Sequence, residues 1–289
     1  IMFKSRIKRS HMLLIFICLP FLAMAGYQFY QVNFGILKYA DWTAEECIED
    51  RKCVWTAFSN IAFESEFEFE TTKKGHLAKW NESIVVGVEA EKDQEKMEAL
   101  VQQQINYLKQ HTELNISLRH KGGGNNTKAN IILFFSKDFD HLIYKKYHST
   151  FINIFKRYTG DPNYFFKIYN SINDKELCFA TVFSEKKKEE DLKLSFIFIN
   201  ILKENSIILS CIQEEITQAM GLFNDIKQFK KSTLFNDSNE TKNLTKLDTL
   251  LLKILYDPRV KFGMNRREVK KIFTPIYEKT YQQLQAEGI

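Results

Sequence analysis

The stretch CIQEEITQAMGLFND, residues 211–225, decides how the whole chain is read. At 100° per residue Ile208, Ile212 and Ile216 fall on one side of a helix, and Cys211, Glu214, Gln218 and Gly221 on another, with Glu215 between them. Glu214 and Gln218 therefore project side by side, one turn apart. Ser206 or Ser210 is the expected cap, and Gly221 the residue that ends the helix after Met220.

Upstream, the pattern predicts a regular α+β order. WNESIVVGVEA (80–90) reads as a strand and DQEKMEALVQQQINYLKQHT (93–112) as a helix. LNISLRH (114–120) and the continuously apolar ANIILFFS (129–136) read as strands, the second a central one, joined by the turn-forming KGGGNNTK (121–128). That glycine run lacks the spacing of a phosphate-binding loop. Residues 138–170 are expected to be helical, with His141 and His148 in packing or surface roles. Strands follow at 177–184 and 193–200, with KKKEED between them as a solvated turn. The alternation FESEFEFE (63–70) predicts a half-exposed strand, and residues 265–285 a helix broken at Pro275.

The N-terminus carries Lys4, Arg6, Lys8 and Arg9 ahead of an apolar run from Met12 to Leu22 and then Ala23-Met24-Ala25, the pattern of a signal peptide ending at residue 25. The expected layout is thus a signal peptide (1–25), an extension with a small Cys loop (26–78), the main domain (79–264) and a C-terminal helix (265–289). Beyond the signal, 37 of the 41 Lys and Arg remain against 36 Asp and Glu, so the charge balance points to no nucleic-acid partner. A membrane enters only through an uncleaved signal anchor. An exported, periplasmic or envelope-associated chain permits disulfides. Of the three connectivities open to the four remaining cysteines, Cys47–Cys53 and Cys178–Cys211 are favoured over buried free thiols.

The central stretch resembles the HExxHxxGxxH helix of zinc proteases. In that motif two histidines one turn apart bind the metal, and a glutamate takes a proton from metal-bound water. Here Glu214 stands in the first-ligand position, Glu215 in the base position, Gln218 in the second-ligand position, Gly221 at the turn and Asn224 in the third-ligand position, with Asp225 beside it. STLFND (232–237) resembles the methionine turn of matrixin-like metzincins, with Phe235 in the methionine's place, and LTKLDTLLLKILYDPR (244–259) resembles their closing helix. The resemblance implies a zincin-like mixed sheet with a motif-bearing central helix and C-terminal helices. A closer similarity is to an uncharacterised family of proteobacterial exported proteins and lipoproteins. Its pattern is met by Cys211, Glu214, Glu215, Gln218, Gly221, Leu222, Asn224 and Asp225, then by Phe235-Asn236-Asp237, Leu244-Thr245, Asp248, Leu255-Tyr256-Asp257-Pro258-Arg259 and Gly263-Met264.

Zinc favours nitrogen and sulfur ligands, whereas this set presents oxygen, so no zinc cofactor is expected and a harder divalent cation is the one ion the residues suit. Three readings follow. In the first, the chain is a zincin-like binding or structural module for an envelope protein or polymer, its acids held by backbone or by Arg259. In the second, it is a hydrolase with Glu215 as general acid or base and Asp225, Asp237 or Asp248 as the second carboxylate. In the third, those oxygens form a non-catalytic ion site.

Overall fold

A computed structural model describes residues 39, 42–64, 75–119, 128–171, 178–185, 188–224 and 244–288. The signal-like segment, most of 63–70, and Asp225, Phe235 and Asp237 lie outside these residues. Helices α1 (Ala44–Glu49) and α2 (Arg51–Phe63) come first, then β1 (Lys79–Trp80), β2 (Ile84–Ala90), α3 (Gln94–His111), β3 (Ile116–Arg119) and β4 (Ile131–Ser136). A short α4 (Phe139–His141) runs through a π turn (Leu142–Lys146) into α5 (His148–Tyr158), followed by α6 (Tyr164–Ser171). The antiparallel pair β5 (Cys178–Glu185) and β6 (Lys188–Asn200) leads to α7 (Asn205–Ala219), and α8 (Lys246–Tyr256) and α9 (Arg266–Ala286) complete the described chain.

The fold is α+β, built on a mixed sheet in which β3, β2, β4 and β6 lie side by side and parallel. β1 also pairs parallel with β6, while β5 runs antiparallel to it. Strand periodicity sorts two kinds of apolar residue onto the two faces. In β6, Ile197 and Ile199 enter the larger, aliphatic core, while Leu194, Phe196 and Phe198 enter an aromatic one. The aliphatic face is covered by α3 and α7, and the same core continues through α1, α2, α8 and α9. The segment read as an extension thus contributes its helices to the common core. On the aromatic face Phe179 stacks on Phe198 at 4.6 Å, and Phe165 on Phe151 at 4.8 Å and on Phe155 at 5.0 Å. Each such pair adds about 0.5–1.5 kcal/mol beyond burial.

Several expectations need correction. The strand predicted over 80–90 is split at the exposed residues 81–83, because the chain steps from the edge of β6 to a place between β3 and β4. Phe63 is the last residue of α2 and is buried, so it does not open a strand. The helical stretch 138–170 breaks around Gly160, whose φ is +81°. KKKEED is not simply a solvated turn: β6 begins at Lys188, and Asp191 is buried and paired with Lys193 at 3.1 Å. Helix α9 runs unbroken through Pro275. An interior proline costs about 3 kcal/mol, whereas Val269, Phe273, Ile276, Tyr277 and Leu284 are all buried on this helix, at about 1.5–3 kcal/mol for a large apolar side chain. Packing outweighs the lost hydrogen bond. Among the described residues no helix is long and apolar enough to cross a membrane.

Both favoured disulfides form. Cys47–Cys53 clips α1 to α2 across Asp50, whose carboxylate caps α2 through the amides of Lys52 and Cys53. Cys178–Cys211 ties the start of β5 to the middle of α7, with a sequence separation of 33 residues. In the loop-closure description a ring of that size is worth about 3–4 kcal/mol. A Cys178→Ser/Cys211→Ser double variant is therefore expected to lose about that much in urea unfolding, and more than the corresponding variant of the six-residue Cys47–Cys53 link.

Candidate functional site

Helix α7 leaves β6 through a four-residue connection and lies across β5 and β6 beside α3. Ile208, Ile212 and Ile216 are buried on the sheet, as the spacing predicts. The polar residues are nevertheless not a solvated face. Gln213, Glu215, Thr217 and Gln218 are all buried, Glu215 retaining 4% exposure, and only Glu214 is half-exposed. Thr217 turns its hydroxyl back onto the Gln213 carbonyl at 2.6 Å, the local bond that lets a hydroxyl sit inside a helix. Glu214, Glu215 and Gln218 thus form one polar run within the last three turns of a helix sunk in the core.

The end of that helix is built tightly. The last carbonyls of any helix lack partners within it, and here two are taken from outside. The Trp80 indole N–H donates to the Ala219 carbonyl at 2.7 Å, and the Tyr256 hydroxyl donates to the Met220 carbonyl at 2.8 Å. Gly221 follows with φ +113°, and a Cβ at this position would lie 2.3 Å from the Ala78 carbonyl oxygen and 3.2 Å from Leu255 Cδ2. The glycine is required twice, by its backbone angle and by the approach of the chain that enters β1.

Lys79 completes the clasp. Its ammonium donates to the Leu255 carbonyl at 3.0 Å and the Val260 carbonyl at 2.8 Å, and it lies 5.0 Å from the centre of the Tyr256 ring. Burial, with Lys261 nearby, lowers its pKa to about 8, although Asp257 opposes the shift. Burial pushes the Tyr256 phenol well above its usual value, so it remains a donor. In the turn after α8, Arg259 grips Asp257 with two side-chain bonds of 2.8 Å, and the hydrogen bonds from Arg259 hold the Asp257 carboxyl below the usual range.

The remaining predicted site residues take separate places. Asn224 joins α2, its amide donating to the Asn60 carbonyl at 3.2 Å and its backbone N–H to the Ile61 carbonyl at 3.3 Å. Asp248 is fully buried and caps its own helix, accepting from the Thr245 amide at 2.9 Å and hydroxyl at 2.7 Å. Arg259, expected to hold the acids of α7, is engaged by Asp257 instead. His141 and His148 are exposed, and the His148 ring lies 5.1 Å from that of Phe166. Among the described residues no three His, Cys, Asp or Glu side chains gather as a metal site would. Sequence reasoning gave Lys79 and Trp80 no role, because their partners lie 139 to 181 residues away. Tyr256 carried one signal, its place in the matched Leu-Tyr-Asp-Pro-Arg run.

The pairing of that run with the end of α7 lies within a recognised unit: the profile described as "Protein of unknown function (DUF2927)" matches residues 52–275, from α2 into α9. The chain belongs to this family. A search of curated proteins returns no match. The DUF2927 unit therefore includes the whole sheet, the motif helix and the clasp that ends it.

The lowered Lys79 pKa has a definite consequence. Between about 8 and the unfolded value near 10.5 the unfolded chain holds a proton that the folded chain has released, so this group makes stability rise with pH across that window. Denaturant melts at pH 7.5 and pH 10 are expected to show the wild type gaining on Lys79→Met by about 2 kcal/mol, the shift being converted at 1.36 kcal/mol per pH unit and reduced for partial exposure. A difference that stays constant with pH would contradict the geometry around Lys79.

Proposed function

We propose that this DUF2927 chain is a zincin-like scaffold that works without zinc, as a binding or structural module of the cell envelope whose target is an envelope protein or polymer. The observation that carries this reading is the use made of the candidate ligand and carboxylate residues. Asn224 is bonded to Asn60 and Asp248 to Thr245, while Glu215 and Gln218 are buried within α7. The first- and second-ligand positions offer oxygen where zinc would take imidazole nitrogen.

The scaffold reading draws support from the order of elements. A mixed sheet, a motif helix directly after its last strand, a turn glycine and closing helices are what the metzincin resemblance implies. Two disulfides are consistent with export. A buried carboxylate such as Glu215 is tolerated only when the surrounding structure compensates its desolvation. That role is structural, and it requires no metal.

Thermal melts with and without zinc, manganese, magnesium or calcium test the proposal, because an ion bound only by the native form at 100 times its Kd adds about 2.7 kcal/mol. A shift of that size moves the melting temperature by several degrees. The expected result is no shift for any ion and no hydrolysis of peptide or cell-wall substrates. An ion-dependent rise that disappears in Glu215→Gln, or a hydrolytic activity lost in that variant, would overturn it.

A further inference from the structure

The helices on the aromatic side of the sheet leave part of it bare. Their core draws on β4, β5 and β6, and on no described residue of β2 or β3. At that step a cavity of about 180 Å³ opens, with Ile132, Phe134 and Phe196 beneath it and Phe151 and Ile154 from α5 at its side. Gly87 of β2 also lines it and adds no side chain. An apolar cavity of roughly 150 Å³ holds one benzene ring, and phenylalanine walls receive such a ring by offset stacking or edge-on contact. This space therefore suits one aromatic ring with a short substituent, and is too small for a lipid acyl chain.

Two charged side chains border the cavity, and only one of them is open to a ligand. Glu89 of β2 is taken up by the protein itself: it is half-buried, accepts from the Tyr147 hydroxyl at 3.3 Å and interacts further. It therefore offers no site to an ammonium, and its charge disfavours a second acid on the ligand. Arg119 lies beside Gly87 in the β2–β3 register, is exposed and forms no ion pair among the described residues. Its guanidinium is a planar, two-pronged donor that fits one carboxylate. An apolar chamber with a single open charge at its rim has the composition of a small-molecule site.

We propose that this cavity binds a monocarboxylate carrying one aromatic ring, of the arylacetate class. The ring enters between the sheet and α5, and the carboxylate meets Arg119 at the rim. The site is separate from α7 and independent of the function proposed for it.

Calorimetric titration of the full chain with phenylacetate, its neutral isostere phenylacetamide and the cationic phenethylamine tests this. Phenylacetate is expected to bind saturably, about tenfold or more tighter than the amide, with the amine weakest, since a hydrogen bond to a charged group is worth about that factor. Arg119→Gln is expected to remove the preference for phenylacetate while leaving the amide's affinity as it was. Thr150→Trp, which fills the opening from an exposed position on α5, is expected to abolish binding of all three, both variants melting as the wild type does. Lack of saturable binding by folded wild type at millimolar phenylacetate would overturn the proposal. So would the amide or the amine binding as tightly as phenylacetate, or phenylacetate affinity unchanged in folded Arg119→Gln or folded Thr150→Trp.

Discussion

The structure turns on the approach of Gly221 to the Ala78 carbonyl. That contact brings the C-terminal end of α7 against the chain entering β1, at a distance no side chain at 221 would permit. The neighbouring bonds depend on it. With the helix end in place, Trp80 reaches the Ala219 carbonyl, Tyr256 reaches the Met220 carbonyl, and Lys79 reaches over Tyr256 to the turn that ends α8. Elements far apart in sequence, β1, α7 and α8, are thereby fixed to one another by bonds to backbone carbonyls, each of which would otherwise be a buried acceptor without a partner.

Much of this was legible in the sequence. Helix α7, strands β4 and β5 and helix α3 follow from apolar periodicity, which is a local property. Of the two disulfides, Cys47–Cys53 was favoured because it closes a short loop, and Cys178–Cys211 because it ties a predicted strand to the motif helix. What sequence reasoning missed depends on distant partners. The split between β1 and β2 is invisible in a continuous run of strand-forming residues, because it is made by β6 more than a hundred residues later. Pro275 signalled a break that the buried face of α9 overrides.

For the candidate site, sequence placed Glu214, Glu215 and Gln218 on one helix but could not give their surroundings. Helical spacing fixes the direction of each side chain but not what lies opposite it; α3 and the sheet pack on α7, and Glu215 and Gln218 are internal. Asn224, Asp248 and Arg259 have the chemistry of ligands or partners of an active site. Their actual bonds, to Asn60, Thr245 and Asp257, are those of caps and staples. The same residue types serve either purpose, and only their neighbours distinguish them. In this chain the matched positions, Gly221 and Tyr256 foremost, serve to hold a polar helix inside the fold.

The most direct test of that claim is a double-mutant cycle in urea unfolding between Trp80→Phe and Tyr256→Phe, which remove the donors to two successive carbonyls of one helix end. If the end of α7 is held as a unit, each single change costs about 1–3 kcal/mol, and the two are coupled by more than about 0.5 kcal/mol. Single losses near zero, or losses that add within about 0.3 kcal/mol as for independent sites, would contradict it.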